Sequence, residues 1–427
     1  MSLSHKTERD VTIGPAKVRR TVGRAGATLV NGLEVARFGG LRTDLEPSPF
    51  EVVGRAGIAQ LRRYYADNVP EDAPVIVLVP PLMLTAEVWD VSPSTSAVAS
   101  LHALGLDVFV VDFGSPEHTE GGIHRTLDEH VLAVSTSIDI ITQLRGRDVH
   151  LGGYSQGGMF CYQVAAYRRS EGIASVITFG SPVDVHGGLP FGIPSAQASE
   201  LVARVARKVF ESSAVPGWLT RTGFKMLDPV KTVRSRVEFI RQLHDRDSLI
   251  DREPQRRFLD GEGFIAWPGP ALAEFAEQFI QHNRMLSGGF SIADRMVTLA
   301  DITAPVLTVV GEVDEIAAPA AVRAISKAAP GADVHELSLR TGHFGLVVGS
   351  RAADVTWPTV AGWVRHLDLD EPMPDAVGEP GSSEASHPMN ARVPEAARVA
   401  SMAAGFGFDL ARSVVGTVAR TVGGTGE

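Results

Sequence analysis

The sequence predicts an α/β protein: a mostly parallel central sheet with helices on both faces. Three observations carry this. First, short apolar runs recur at residues 75–79, 107–112, 148–151, 174–179 and 305–310, and 332–338 reads as a further strand. Runs of that length without polar alternation read as strands buried on both faces, the pattern of parallel sheets. Second, segments with helical spacing of apolar residues lie between them, at 94–104, 126–144 and 352–367. The last of these follows the final strand and closes the core. Third, one strand–helix junction reads Gly153-Tyr-Ser155-Gln-Gly157, a serine between two glycines.

Composition sets limits on function. The 427 residues give room for one large domain or two modest ones. A hydrophobic content of 44% and a charged content of 21% are ordinary for a soluble globular protein. The formal net charge of −10 argues against nucleic acid as a partner. A single cysteine, Cys161, excludes an intrachain disulfide and offers no metal-ligand cluster. No metal or other cofactor is implied. The absence of a long apolar run argues against a spanning helix, and no secretory signal is evident. A cytoplasmic location is the expectation.

Residues 1–49 read as a basic N-terminal extension with an amphipathic helix or helix pair at 15–38. The first part of the core spans 50–184. It opens with a hairpin, Phe50-Glu-Val-Val-Gly and Ile58-Ala-Gln-Leu-Arg-Arg-Tyr-Tyr65, turning at Gly54-Arg-Ala-Gly57. In the 126–144 helix, Ile138, Ile141 and Leu144 are expected on one face. From 185 to 290 the strand-like runs vanish. Helical segments around 197–211, 230–244 and 270–286 are broken by Pro216, Pro229, Pro254 and Pro268-Gly-Pro270. This reads as a helical cap, which would exclude water and shape a pocket. Its aromatic residues, Trp218, Phe258, Trp267 and Phe279 among them, either build the cap's own core or line an apolar acyl site. The core resumes over 291–367. Residues 368–393 are acidic and rich in Pro, Gly and Ser, as expected of a disordered linker. In 394–427, Val399, Met402, Phe406, Leu410, Val414 and Val418 recur at helical spacing. The two terminal segments either dock on the protein's own surface or attach it to a lipid surface or a protein partner.

The serine junction is where chemistry is expected. A strand, a sharp glycine-flanked turn and a helix form the nucleophile elbow of α/β hydrolases. The glycines are needed because a Cβ in so crowded a turn would clash. A serine hydroxyl needs a base to take its proton, and the base needs an acid to hold its tautomer. In this fold the order along the chain is Ser, acid, His. Ser155, Asp314 and His343 follow that order, each just beyond a strand. Asp112 is the second candidate for the acid, while Glu312 and Glu315 lie closer to the strand or the next helix. His335 falls inside a strand, and His118, His124 and His130 precede the serine. Cys161 points away from it and reads as a buried packing residue. For the oxyanion, Pro80 and Pro81 have no N–H to offer. The expected donors are the N–H groups of Gln156 and Leu82, with Met83 next after Leu82.

Several stretches together resemble the polyhydroxyalkanoate synthases: Leu78-Val-Pro-Pro-Leu82, Asp107-Val-Phe-Val-Val-Asp-Phe-Gly-Ser-Pro116, Gly153-Tyr-Ser-Gln-Gly-Gly158 and Trp267-Pro-Gly-Pro270. So do Thr126-Leu-Asp-Glu-His-Val131 and Leu299-Ala-Asp-Ile-Thr-Ala-Pro-Val306. The likeness covers roughly residues 50–367. It implies an α/β-hydrolase fold in which Ser155, Asp314 and His343 match the nucleophile, acid and base. Those synthases carry cysteine as nucleophile, whereas this chain has Ser155. A serine acyl-enzyme is an ordinary ester, usually resolved by water. The expected function is therefore a serine hydrolase of hydrophobic acyl esters or acyl thioesters, polyester included. Intracellular polyester depolymerases, which this chain also resembles, fit that reading. The alternative is a synthase-like acyltransferase using acyl-CoA. A reading of another class is a non-catalytic module that binds lipid granules or a partner. The residues leave acyl length, carrier and oligomeric state open.

Overall fold

The computed structural model describes residues 15–43, 45–186, 215–218, 239–250 and 252–382. The chain divides into two units, residues 1–44 with 230–256 and residues 45–229 with 257–427. Position 185, where the cap was expected to begin, lies in the larger unit. Residues 187–214 and 219–238, including the helix expected at 197–211, lie outside the described residues.

The larger unit is built on a nine-stranded sheet. In chain order its strands are β1 Phe50–Ala56, β2 Ala59–Tyr64, β3 Val75–Val79, β4 Asp107–Asp112, β5 Val149–Tyr154 and β6 Ile173–Phe179. A separate hairpin of β7 Phe290–Ile292 and β8 Arg295–Val297 precedes β9 Val306–Gly311, β10 Val334–Leu339 and β11 Val377–Gly378. The spatial order is β1-β2-β4-β3-β5-β6-β9-β10-β11. All neighbours from β4 to β10 pair in parallel, and antiparallel strands finish both edges. The mostly parallel sheet read from the apolar runs is the sheet observed.

Alternation along each strand feeds two cores. Val75, Val77 and Val79 of β3 pack with α3 (Leu127–Arg145) and α4 (Gln156–Arg168), against Val134, Ile138, Phe160 and Val164. Ile76 and Leu78 point to the other face, where Trp89, Leu101, Trp357 and Trp363 gather. Where a strand is covered on both sides, apolar residues dominate both, so its sequence shows no clean alternation. Helix α3 starts with a capping box, Thr126 and Glu129 each bonding the other's backbone N–H. It stops at Gly146, whose left-handed φ of 67° suits glycine.

Three local readings are corrected. Ala56 pairs with Ala59, so the first hairpin turns at Gly57-Ile58 rather than across 54–57. Leu144 is 49% exposed, unlike Ile138 and Ile141. Six residues beyond Ile138 lie roughly 240° round a helix, off the buried stripe. The segment 368–382 is ordered where a disordered linker was expected. Helix Trp357–Leu369 runs into it, and Val377–Gly378 adds the edge strand β11 to β10. Residues 383–427, with the amphipathic helix expected there, lie outside the described residues. Within the expected cap, helix Gly269–Phe275 forms, and Phe258 and Phe279 are buried core residues. Phe264 and Trp267 are extended, bridging to Leu84 and Val215.

The smaller unit contains helix α1, Pro15–Phe38. Its core is Leu41, Leu243 and Leu249, with Val35 and Phe239 against them. Asn31 Nδ2 donates to the carbonyl of Leu243 at 2.6 Å, and Arg246 grips Glu34 through both guanidinium nitrogens. Leu29, Val30 and Leu33 of α1 are exposed. Among the described residues no helix is long and apolar enough to cross a membrane.

Candidate active site

Ser155 stands between β5 and α4 with φ 54° and ψ −120°, a region a non-glycine residue enters only under strain. Its environment holds it there. The Ser155 N–H donates to the carbonyl of Phe179 at 2.8 Å, and its own carbonyl accepts from Gly158 and Met159. Glycine is obligatory on either side. A Cβ on Gly153 would strike the sulfur of Cys161, and one on Gly157 would strike the carbonyl of Val79. Helix α4 begins immediately afterwards, so its free N–H groups and dipole face the serine.

The three residues expected to act together are adjacent. His343 Nε2 lies 2.9 Å from Ser155 Oγ, and His343 Nδ1 lies 2.7 Å from Asp314 Oδ2. Asp314 sits in the turn after β9. Its Oδ1 accepts the N–H groups of Ile316 and Ala317 at 2.8 and 2.9 Å. One oxygen is thus fixed by backbone and the other is left for the histidine. That arrangement places the proton on Nδ1 and leaves Nε2 as acceptor for the serine hydroxyl. Asp314 and His343 are each 6% exposed.

The rival residues are committed elsewhere. Asp112 pairs with Arg62 at 2.6 Å and accepts the Gly114 N–H. Glu312 is held by Arg323 and Ser338. His335 lies on β10 against Asp333 and the ring of Trp363. His130 is buried in α3, its Nδ1 on the carbonyl of Thr126, and burial pushes its pKa down to about 4. Cys161 is wholly buried, and that burial drives its thiol pKa well up.

Two close neighbours of these residues were not anticipated. Gly180, just after β6, has φ 57°, and a Cβ there would sit 3.1 Å from His343 Nδ1 and 3.2 Å from Asp314 Oδ2. It is the gap through which the acid and base meet. The only sequence signal was its place at a strand end. Tyr154 lies under His343, ring centroids 5.0 Å apart, and burial beside Asp314 raises its phenol pKa well above the usual value. Of the expected oxyanion donors, Leu82 N–H meets the side chain of Gln156, 3.3 Å from Oε1.

A second hydrogen-bonded Ser–His–Asp set occupies the opposite end of the same strands. His150, at the start of β5, has Nδ1 2.8 Å from Ser175 Oγ on β6 and Nε2 3.1 Å from Asp368 Oδ1. Ser175 also accepts the Trp363 indole N–H at 3.2 Å. Burial is the largest influence and works to raise the Asp368 carboxyl, but the hydrogen bond and charge of His150, with the charge of Arg147, together hold the group below its usual range.

A parallel sheet crossed by a serine elbow, with acid and base on the following strand ends, defines a class, and the chain belongs to it: the alpha/beta hydrolase family, matched over residues 76–357. Its similarity to particular proteins is narrower. It is 28% identical over 335 residues to the poly(3-hydroxyalkanoate) polymerase subunit PhaC of Allochromatium vinosum, covering 76% of this chain and 90% of that one. It is 25% identical over 321 residues to the subunit of the same name from Haloferax mediterranei, covering 74% of this chain and 63% of that one. Among solved structures, the Paleococcus ferrophilus monoacylglycerol lipase aligns over 72% of this chain and 99% of its own, at 15% identity and a TM-score of 0.46.

Proposed function

We propose that this protein is a serine hydrolase that cleaves hydrophobic acyl esters or acyl thioesters through an acyl-serine intermediate. The observation that supports it is the continuous chain Asp314–His343–Ser155, at 2.7 and 2.9 Å. In this reading Ser155 Oγ attacks the acyl carbonyl while His343 Nε2 takes the hydroxyl proton. The imidazolium is stabilised by Asp314 and returns the proton to the departing alcohol or thiol. A water then loses its proton to His343 and attacks the acyl-serine, releasing the acid and restoring the hydroxyl. The oxyanion formed at each step is held by the N–H groups of Gln156 and Leu82. Each such donor typically contributes about 3 kcal/mol to the barrier reduction.

A second reading keeps the same acyl-serine and replaces water by an acceptor alcohol. The identity to the PhaC subunits over three quarters of the chain favours it. The serine favours water, because an ordinary acyl ester is a poorer donor than a thioester for repeated exchange. The product from an acyl-CoA separates the two: free acid supports hydrolysis, and a transferred or polymerised acyl group supports acyl transfer. For both, a fluorophosphonate should modify wild-type protein stoichiometrically at Ser155 and leave folded Ser155→Ala unlabelled. Full turnover by folded Ser155→Ala would refute both, whereas a folded wild type that the fluorophosphonate does not label would return attention to a binding module.

A further inference from the structure

The two N–H groups proposed for the oxyanion do not stand equally open. Leu82 N–H donates to Gln156 Oε1 at 3.3 Å, so the elbow's own side chain reaches across to the loop after β3. Gln156 is 3% exposed, and its Nε2 has no hydrogen-bond partner among the described residues. An N–H can be met only by an acceptor, so the carboxamide must turn its oxygen to Leu82 and strand its nitrogen. One end of the side chain makes a long bond, and the other end makes none in a place where buried polar groups are normally satisfied.

The backbone on both sides is fixed. Met83 carbonyl accepts the Ile265 N–H at 3.1 Å, Thr85 N–H reaches the Gly263 carbonyl at 3.0 Å, and Leu84 bridges to Phe264. Gly157 lies so close under the Val79 and Pro80 carbonyls that no Cβ would fit. Neither the loop nor the elbow has room to step aside, and the part with rotatable bonds is the Gln156 side chain.

We propose that the carboxamide oxygen of Gln156 occupies the oxyanion site of the resting enzyme, standing in for the substrate's carbonyl oxygen, and that an acyl substrate binds by displacing it. This rests on the reading of Ser155 as nucleophile and Leu82 N–H as oxyanion donor. An amide oxygen competes well with the neutral carbonyl of an arriving ester. It competes poorly with the charged oxygen that follows, because charge strengthens the bond to an N–H. The displacement is complete before chemistry, so the plug weakens substrate binding and leaves the chemical step alone.

The test compares Gln156→Met, which keeps the shape and removes the acceptor, with Gln156→Glu, which keeps an acceptor oxygen and adds negative charge. The readouts are KM and kcat on a short p-nitrophenyl ester and the rate of phosphonylation by a fluorophosphonate. Gln156→Met should lower KM at least threefold and speed phosphonylation at least threefold. Gln156→Glu should slow phosphonylation at least tenfold at pH 8. If Gln156 instead braces the loop, both variants lose kcat and label more slowly, which overturns the proposal. Unchanged constants in both overturn it too. Gln156→Ala, read the same way, replaces the Met variant should that one fail to give a wild-type melting profile. A folded wild type that is not labelled at Ser155 would sink the underlying reading instead, and is told apart by that.

Discussion

Strand β5 separates two sets of the same three residue types. Beyond its C-terminal end, His343 joins Ser155 to Asp314. At its N-terminal end, His150 joins Ser175 to Asp368. The distances are similar, and the settings are opposite. Ser175 is wholly buried inside β6, and its oxygen accepts the Trp363 indole N–H. An ionised Asp368 can only accept, so His150 Nε2 carries the proton and Nδ1 accepts from the Ser175 hydroxyl, the reverse of the tautomer at His343. Ser155 is partly exposed, sits on a strained turn and faces a helix N-terminus. The chain of hydrogen bonds therefore marks a nucleophile only where the serine is open to a substrate, as Ser155 is and Ser175 is not. What differs is the end of the sheet: in open α/β sheets, reacting groups collect beyond the carboxyl ends of the strands.

Removing the acid at each end should break the symmetry most clearly. Asp314→Asn should lower kcat on a short ester by about 10⁴-fold, because the amide would favour the wrong His343 tautomer. A drop smaller than tenfold would mean that Asp314 does not hold the base. Next comes His130, which bonds a backbone carbonyl and, among the described residues, no carboxylate. Burial, with Arg125 adding to it, sets its pKa at about 4 in the folded protein. An unfolded histidine titrates near 6.5, so the unfolded chain binds more protons between the two values. Stability is complete above about pH 6.5 and falls as pH drops toward 4, by about 2 kcal/mol at pH 5. His130→Phe, placed between Phe113 and Phe160, should flatten that slope in urea titrations at pH 7.5 and 5. An equally steep slope in the variant would assign the acid sensitivity elsewhere. The smallest effect is expected of Asp368→Asn. Its kcat should stay within twofold of wild type while stability falls by about 1–3 kcal/mol, the usual cost of disturbing one buried polar pair. A large loss of kcat there would collapse the distinction between the two ends.

The parts of this architecture that the sequence made legible are those written in local pattern. The doubly buried strands show as apolar runs, and the elbow shows as glycines that no other residue could replace. Asp314 and His343 were found by order and strand-end position, which are properties of the chain. Gly180 was not found, because its requirement comes from two side chains arriving from other strands. Gln156 was read for its backbone N–H, while its side chain's partner depends on how closely the loop after β3 approaches. The acidic stretch after residue 367 misled because composition reports solvent contact rather than order. Asp368 is used by His150, and a strand as short as Val377–Gly378 leaves no periodicity to read.

Cys161 lies behind the elbow, its sulfur in the space a side chain on Gly153 would need, and it is the chain's one thiol. Sulfur reactivity follows thiolate character and access, and burial denies this residue both. A nucleophile built on oxygen has no sulfenic or sulfinic state to fall into. An acyl chemistry run from Ser155 would continue through peroxide stress or alkylating agents that silence a thiolate enzyme. Its weakness would lie instead toward electrophiles that seek an activated hydroxyl, so oxygen rather than sulfur at this one position would decide which environments such chemistry tolerates.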